Sequence, residues 1–168
     1  YTKALKALIL KSKHKIQGID DDYDYAEWWN LTKPSEEELE AQKKETFEYM
    51  PKFSIVIPVY KTPEKFLKEM LDSIVEQTYA NWELCIADGS PAGESVETVL
   101  KKYAEKDARI RYQVLGENRG ISGNTNAALE MAEGDFIVLA DHDDRLTPNA
   151  LFECAKKLNE NRTCDVLY

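Results

Sequence analysis

From Lys52 onward the chain alternates two kinds of segment, and this alternation limits its possible folds more than any other feature. Phe53 to Val59, FSIVIPV, is apolar and β-branched almost without interruption, the pattern of a strand covered on both faces. Thr62 and Pro63 then signal a helix start, with Thr62 as cap, and Phe66, Leu67, Met70, Leu71, Ile74 and Val75 recur at helical spacing. The pair of signals repeats. A strand is expected over 82–88 (WELCIAD), a helix over 94–106 and a strand over 109–115 (RIRYQVL). A helix over 122–132, a strand over 135–140 (DFIVLA), a helix over 148–159 begun at Thr147-Pro148, and a strand begun at DVLY complete the series. Strands separated by helices at this spacing predict an open, mostly parallel α/β sheet of Rossmann-like type with helices on both faces. Ligands of such sheets bind outside the carboxyl ends of the strands.

The first 50 residues lack this alternation and read as a helical appendage, 1–50, to a domain at 51–168. Residues 1–15 combine Leu5, Leu8, Ile9 and Leu10 with five lysines. Two readings fit them: a helix packed on its own protein with a solvated basic face, or peripheral association with a membrane surface. Tyr23, Tyr25, Trp28 and Trp29 read as packing anchors, and a helix over 36–49 begins with a Ser35 cap and Glu38 three residues on. The chain opens on Tyr1 and closes on CDVLY, as a piece cut from a longer chain would. A formal charge of −9 disfavours nucleic acid as a partner, because phosphate binding needs clustered Lys and Arg. Cys85, Cys154 and Cys164 match neither a zinc site nor a disulfide framework, which points to a reducing, cytoplasmic setting, in one reading at the inner face of the plasma membrane.

Three strand ends carry the conspicuous polar residues: Pro58-Val59-Tyr60-Lys61, Asp88-Gly89-Ser90, and Asp141-His142-Asp143-Asp144. Carboxylates gathered at one tip repel each other unless a cation joins them. Hard oxygen ligands with room for water suit Mg2+ or Mn2+ bridging to phosphate. If strand alternation continues past Ala140, Asp141 and Asp143 point the same way and address one ion. Asp88 offers an acceptor to the imino N–H of a base, Gly89 lets a ring approach, and Tyr60 offers an aromatic face. Taken singly, Asp-Gly-Ser is a turn signal and Asp-x-Asp a solvated loop. The convergence of three tips favours a ligand site.

IVIPVYKTP, QTYANWELCIADGS, GENRGISGNTNAALEMAEGDFIVLADHDD and LTPNAL together resemble the donor-binding half of family 2 glycosyltransferases of the GT-A fold, over residues 52–168. The likeness is nearest to bacterial members that build cell-surface polysaccharide, rhamnosyl transferases among them. It implies inverting, metal-dependent transfer from a UDP- or dTDP-type sugar to a polysaccharide or lipid-linked acceptor. It further implies Pro58, Val59 and Tyr60 around the base, Asp88 on the imino N–H, and Asp141 on the ribose side. Asp143 and Asp141 would hold Mn2+ or Mg2+, with Asp143 the first choice and Asp144 behind them or facing the acceptor. Arg119, Gly120 and Asn126 would contact the nucleotide sugar, although Arg119 suits a surface salt bridge equally. Three positions depart from the family's pattern: Ala87 stands for the first of two Asp, Lys61 for Asn, and Asn124-Thr125-Asn126 for Ala-Arg-Asn. The last puts an arginine contact to the diphosphate in doubt. The general base of the family lies beyond residue 168, so the chain is expected to bind donor and metal without turning over. Two rival readings remain: a non-catalytic nucleotide-binding or interaction module, and a haloacid-dehalogenase-like phosphatase, whose Asp-x-Asp should follow the first strand rather than the fourth.

Overall fold

The computed structural model of the chain describes residues 25–167, which fall into two units that meet between Glu38 and Leu39. Expectations placed on residues 1–15 and on Tyr23 lie outside the described residues. In the first unit, helix α1 (Tyr25–Thr32) carries the Trp28 and Trp29 rings with centroids 6.4 Å apart. Ahead of helix α2 (Glu36–Gln42), the Ser35 N–H donates to Glu38 Oε2 at 2.7 Å and the Glu38 N–H to Ser35 Oγ at 3.3 Å. That reciprocal pair is the capping box expected from sequence. Helix α2 ends at Gln42, not Tyr49. Residues beyond it leave the helix to reach the core of the second unit: the Phe47 ring lies 5.1 Å from that of Phe152, and the Tyr49 N–H donates to Asn159 Oδ1 at 3.0 Å.

The second unit is built on four parallel strands, β1 (Phe53–Val59), β2 (Trp82–Asp88), β3 (Ile110–Val114) and β4 (Phe136–Leu139), in the spatial order β3-β2-β1-β4. Helices α3 (Glu64–Val75), α4 (Glu97–Ala104), α5 (Gly120–Leu129) and α6 (Ala150–Glu160) join and follow them. The alternation along β1 sorts the faces. Phe53, Ile55, Ile57 and Val59 share a core with Leu67, Leu71 and Ile74 of α3, Leu100 of α4 and Leu151 and Phe152 of α6. Val56, on the opposite face, packs with Ala87 and with Ala127 and Ala128 of α5. Three helices therefore cover one face and α5 the other, its alanines allowing close approach to the sheet.

Both central strands have the bounds expected from sequence, because every residue in them is buried save Pro58, which is only partly so. β3 and β4 are shorter than expected. β4 is an edge strand whose residues alternate between half-buried and exposed, with Leu139 71% exposed. Residues 165–167, expected to begin a further strand, form none.

The amino-terminal edge of the sheet is locked by Glu83, a buried carboxylate near the start of β2. It accepts from Ser54 Oγ at 2.6 Å, Lys52 Nζ at 2.8 Å, Arg111 Nη2 at 2.6 Å and the Glu133 N–H at 2.6 Å. The Gly134 N–H donates to Ser54 Oγ beside it at 2.8 Å. A Cβ on Gly134 would sit 2.6 Å from Lys52 O, so only glycine fits there. These bonds seat the turn that feeds β4, and hence the acidic tip beyond it.

The caps expected at the helix starts after β1 and β4 do not form. Pro63 and Asn149 occupy the N-cap positions of α3 and α6 without side-chain cap bonds, and Thr62 Oγ1 is buried with no partner. Around Thr147 the stitching comes instead from Gln77, two residues beyond α3: its Nε2 donates to Thr147 O at 2.7 Å, and the Leu151 N–H donates to its Oε1 at 3.0 Å. No helix among the described residues is long and apolar enough to cross a membrane.

Candidate functional site

Short hydrogen bonds hold the first two polar tips together at the carboxyl edge of the sheet, and the third joins them as part of a shared cavity lining. The Gly89 N–H donates to Val59 O at 2.9 Å and the Lys61 N–H to Ser90 Oγ at 2.8 Å, joining the β1 and β2 tips. The Leu115 N–H donates to Asp88 O at 2.8 Å, joining β2 to the loop after β3. Lys61 lies in the left-handed region at φ 50, a strained choice for a residue with a side chain. Its ammonium pairs with Glu94 at 3.0 Å, and the hydrogen bond and charge of that carboxylate hold the lysine above its ordinary pKa.

Two adjoining cavities open at this edge. One, of about 190 Å³, is lined by Pro58, Val59, Tyr60, Asn118, Ile121, Asn124, Asp141 and His142. The other, of about 250 Å³, adds Val56, Thr125, Leu139, Ala140 and Asp144. Together they offer aromatic and aliphatic walls, two asparagine amides and two carboxylates, and no Lys or Arg among the described residues lines either. Pro58, Val59, Tyr60 and Asp141 are thus brought together as expected from sequence.

Other expected residues stand elsewhere. Asp88 is wholly buried: its Oδ1 accepts the Ser90 N–H at 2.9 Å, and its Oδ2 accepts Ser95 Oγ at 2.7 Å and the Val96 N–H at 3.1 Å. The carboxylate therefore braces the loop after β2 from within and does not face either cavity. Strand alternation stops at Leu139, and a turn follows in which the Asp144 N–H donates to Asp141 O at 3.2 Å. As a result Asp144, not Asp143, shares a cavity with Asp141. Asp143 is exposed, with its Oδ1 3.8 Å from His142 Nδ1. Arg119 pairs with Glu117 at 3.1 Å on the surface, and Gly120 opens α5 at φ 72 with its N–H donated to Asn118 Oδ1 at 2.9 Å. Asn126 is exposed and lines neither cavity.

Asn124 and His142 were not singled out in the sequence as site residues, yet both line the first cavity. The signal for Asn124 was available, since it lies three and four residues before Ala127 and Ala128, on the face of α5 that packs against the sheet.

Among the described residues no three His, Cys, Asp or Glu side chains gather closely enough to hold a metal ion by themselves. The carboxylates of Asp141 and Asp144, with Asp143 alongside, are nevertheless hard oxygen donors on an open rim. Such a set fits Mg2+ or Mn2+, which keeps several positions for water and phosphate. A phosphatase of the haloacid-dehalogenase type does not fit, because the Asp pair follows the edge strand β4 while the first strand ends in Pro58-Val59-Tyr60.

The family model described as glycosyl transferase family 2 matches residues 54–168. An uncharacterized glycosyltransferase of Methanocaldococcus jannaschii is 34% identical over 118 residues, 70% of this chain and 41% of that protein. The O-antigen biosynthesis protein RfbC of Myxococcus xanthus is 30% identical over 132 residues, 79% of this chain and 10% of that protein. The crystal structure of S. aureus TarS 1–349 in complex with UDP superposes with a TM-score of 0.60 at 29% identity, covering 66% of this chain and 33% of that one. The chain therefore spans less than half the length of each of these relatives.

Proposed function

The chain belongs to glycosyl transferase family 2, and on that premise we propose that it forms the donor-nucleotide and metal site for transfer of a sugar from a nucleotide-diphosphate sugar. The observation that carries the proposal is the charge of the crevice: among the described residues, Asp141 and Asp144 are the only Asp, Glu, Lys or Arg lining either cavity. An anionic diphosphate enters such a place only with a cation, because like charges at short range in a partly desolvated cleft repel strongly. Asp141 and Asp144, with Asp143 beside them, would hold Mn2+ or Mg2+. When bound, that ion supplies Lewis-acid neutralisation of the charge that grows on the departing diphosphate.

The residues of the chain do the rest by position. The exposed face of Tyr60 stacks on the base, and Pro58 and Val59 form the wall behind it. Asn118 lines the same cavity and offers its amide to ribose or phosphate oxygens. Asp88 contributes indirectly, by fixing the loop at Ser90, Ser95 and Val96 that borders the base pocket. The TarS fragment solved with UDP supports a uridine nucleotide, and thymidine presents the same ring face. RfbC supports a polysaccharide or lipid-linked acceptor in envelope biosynthesis. The reaction is inverting, with the acceptor hydroxyl attacking opposite the leaving diphosphate. No residue of this chain is assigned to deprotonating that hydroxyl, so the isolated chain is expected to bind donor without turnover.

Calorimetry with UDP and dTDP, each with and without Mn2+, tests the proposal. Micromolar binding that requires the metal is expected. Binding that is indifferent to Mn2+, or no binding of either nucleotide, would remove it.

A further inference from the structure

Asn124 is the most deeply buried polar side chain at the site after Asp88 and Ser90, at 2% exposure, and it sits inside a helix where propensity gives it no reason to be. Burying an amide is unfavourable unless its hydrogen bonds are made. Here they are made to one place. Asn124 Oδ1 accepts the Arg119 N–H at 3.1 Å, and Asn124 Nδ2 donates to Asn118 Oδ1 at 3.2 Å. Asn118 Oδ1 also accepts the Gly120 N–H at 2.9 Å. The Asn124 side chain thus holds Asn118 and Arg119 directly, and Gly120 through Asn118, in the turn that opens α5.

The other side of the same amide is pressed on the β2 tip. A Cβ built on Gly89 would lie 2.5 Å from Asn124 Nδ2 and 2.8 Å from its Oδ1, so the amide lies directly against the glycine backbone. Gly89 is bonded in turn to Val59 beneath Tyr60. The loop after β3 and the tip carrying the base pocket are therefore coupled through Asn124, at a position where the family pattern has alanine. Because both bonds to Asn118 end on its Oδ1, the Asn118 Nδ2 group stands outside this network, on a residue that lines the cavity.

Resting on the donor-site reading above, we propose that Asn124 is a positioning residue: it fixes the Asn118 side chain so that its amide N–H groups donate to an oxygen of the bound nucleotide diphosphate.

Two readouts on the full chain test this: the Kd for UDP with Mn2+, and hydrogen exchange at the Arg119 and Gly120 amides without nucleotide. Asn124→Ala should raise Kd about five- to tenfold, the worth of one lost hydrogen bond with its ordering. It should also speed exchange at both amides while the β1 and β2 amides keep their protection. Asn118→Ala, an exposed site, should reproduce the loss of affinity and leaves the test intact if Asn124→Ala does not fold. Asn124→Asp keeps the acceptor for Arg119 but sets oxygen against oxygen at Asn118, so it should protect the Arg119 amide yet bind UDP as poorly as the alanine variant. A Kd within twofold of the parent for Asn124→Ala or Asn118→Ala overturns the proposal, as does unchanged exchange at Arg119. If the parent chain itself binds no UDP, the donor-site reading fails first, and the exchange data then report only a structural clamp.

Discussion

Replacing Glu83 by glutamine removes one charge from the centre of the lock at the amino-terminal edge, and its cost can be worked from the structure. Burial alone would push this carboxyl upward; hydrogen bonds from Lys52, Ser54 and the Glu133 N–H, with the charge of Arg111, outweigh it and hold the pKa at about 2 against an ordinary 4.5. A lowered folded-state pKa contributes stability that is present above the unfolded value and lost as pH falls toward the folded one. At pH 7 the difference is worth on the order of 3 kcal/mol, and at pH 3 about 1 kcal/mol. Glu83→Gln also leaves Lys52 and Arg111 facing an amide, but both are about a third exposed and can turn to Glu133, so no large further penalty is added. The variant should therefore be about 3 kcal/mol less stable at pH 7, a fall in Tm of about 6–12 °C for a chain of this size. Urea unfolding of both proteins at pH 7 and pH 3 measures it. The gap between them should shrink by more than half at the lower pH. A gap that is the same at both, or below about 0.5 kcal/mol at pH 7, would show that Glu83 is not held ionised by this network.

Tyr60→Ala should raise the Kd for UDP with Mn2+ about five- to tenfold or more, since base stacking on an aromatic ring is worth about 1–3 kcal/mol. The ring is 40% exposed, so Tm should hardly move; unchanged affinity would mean that the ring does not face the base. Lys61→Asn should stabilise the chain by about 0.5 kcal/mol, because asparagine accepts the left-handed backbone at φ 50 more readily than lysine. Thermal unfolding checks this, and a lower Tm would mean that the exposed Glu94 pair outweighs the strain.

The parts of the fold legible in the sequence were those whose neighbours leave no choice. β1 and β2 are central strands buried on both faces, so their apolar runs carried their own boundaries. β4 was drawn too long because an edge strand pairs on one side only, and its register with β1 stops at Val56 and Leu139. Helix starts at Thr62 and Thr147 were misplaced for a different reason. Local capping chemistry was open to both threonines, but tertiary bonds from Gln77 satisfied the 147–151 segment instead.

At the candidate site, the structure places Tyr60, directly after β1, and Asp141, two residues after β4, in one cavity lining, as their places at strand ends led one to expect. Asp143 lines neither cavity, since the turn from Asp141 to Asp144 ends the alternation on which its expected orientation rests. Helical phase separates Asn124, which lines a cavity, from Asn126, which does not. Two residues along a helix turn the side chain through about 200°, so one asparagine faces the cavity and the other solvent. Asp88 was recognised as important, but its role depended on donors at Ser95 and Val96 that no local spacing announces.

The central claim is that the acidic tip seats a divalent cation next to a nucleotide in this crevice. Mn2+ titrated into the UDP-saturated chain, followed by paramagnetic broadening of its backbone amide signals, addresses that directly. The signals of Asp141, Asp144, Ile121 and Asn118 should broaden first, and the broadening should be much weaker without UDP. Broadening centred on another acidic surface such as Glu36 to Glu38, or spread evenly over the chain, would contradict it.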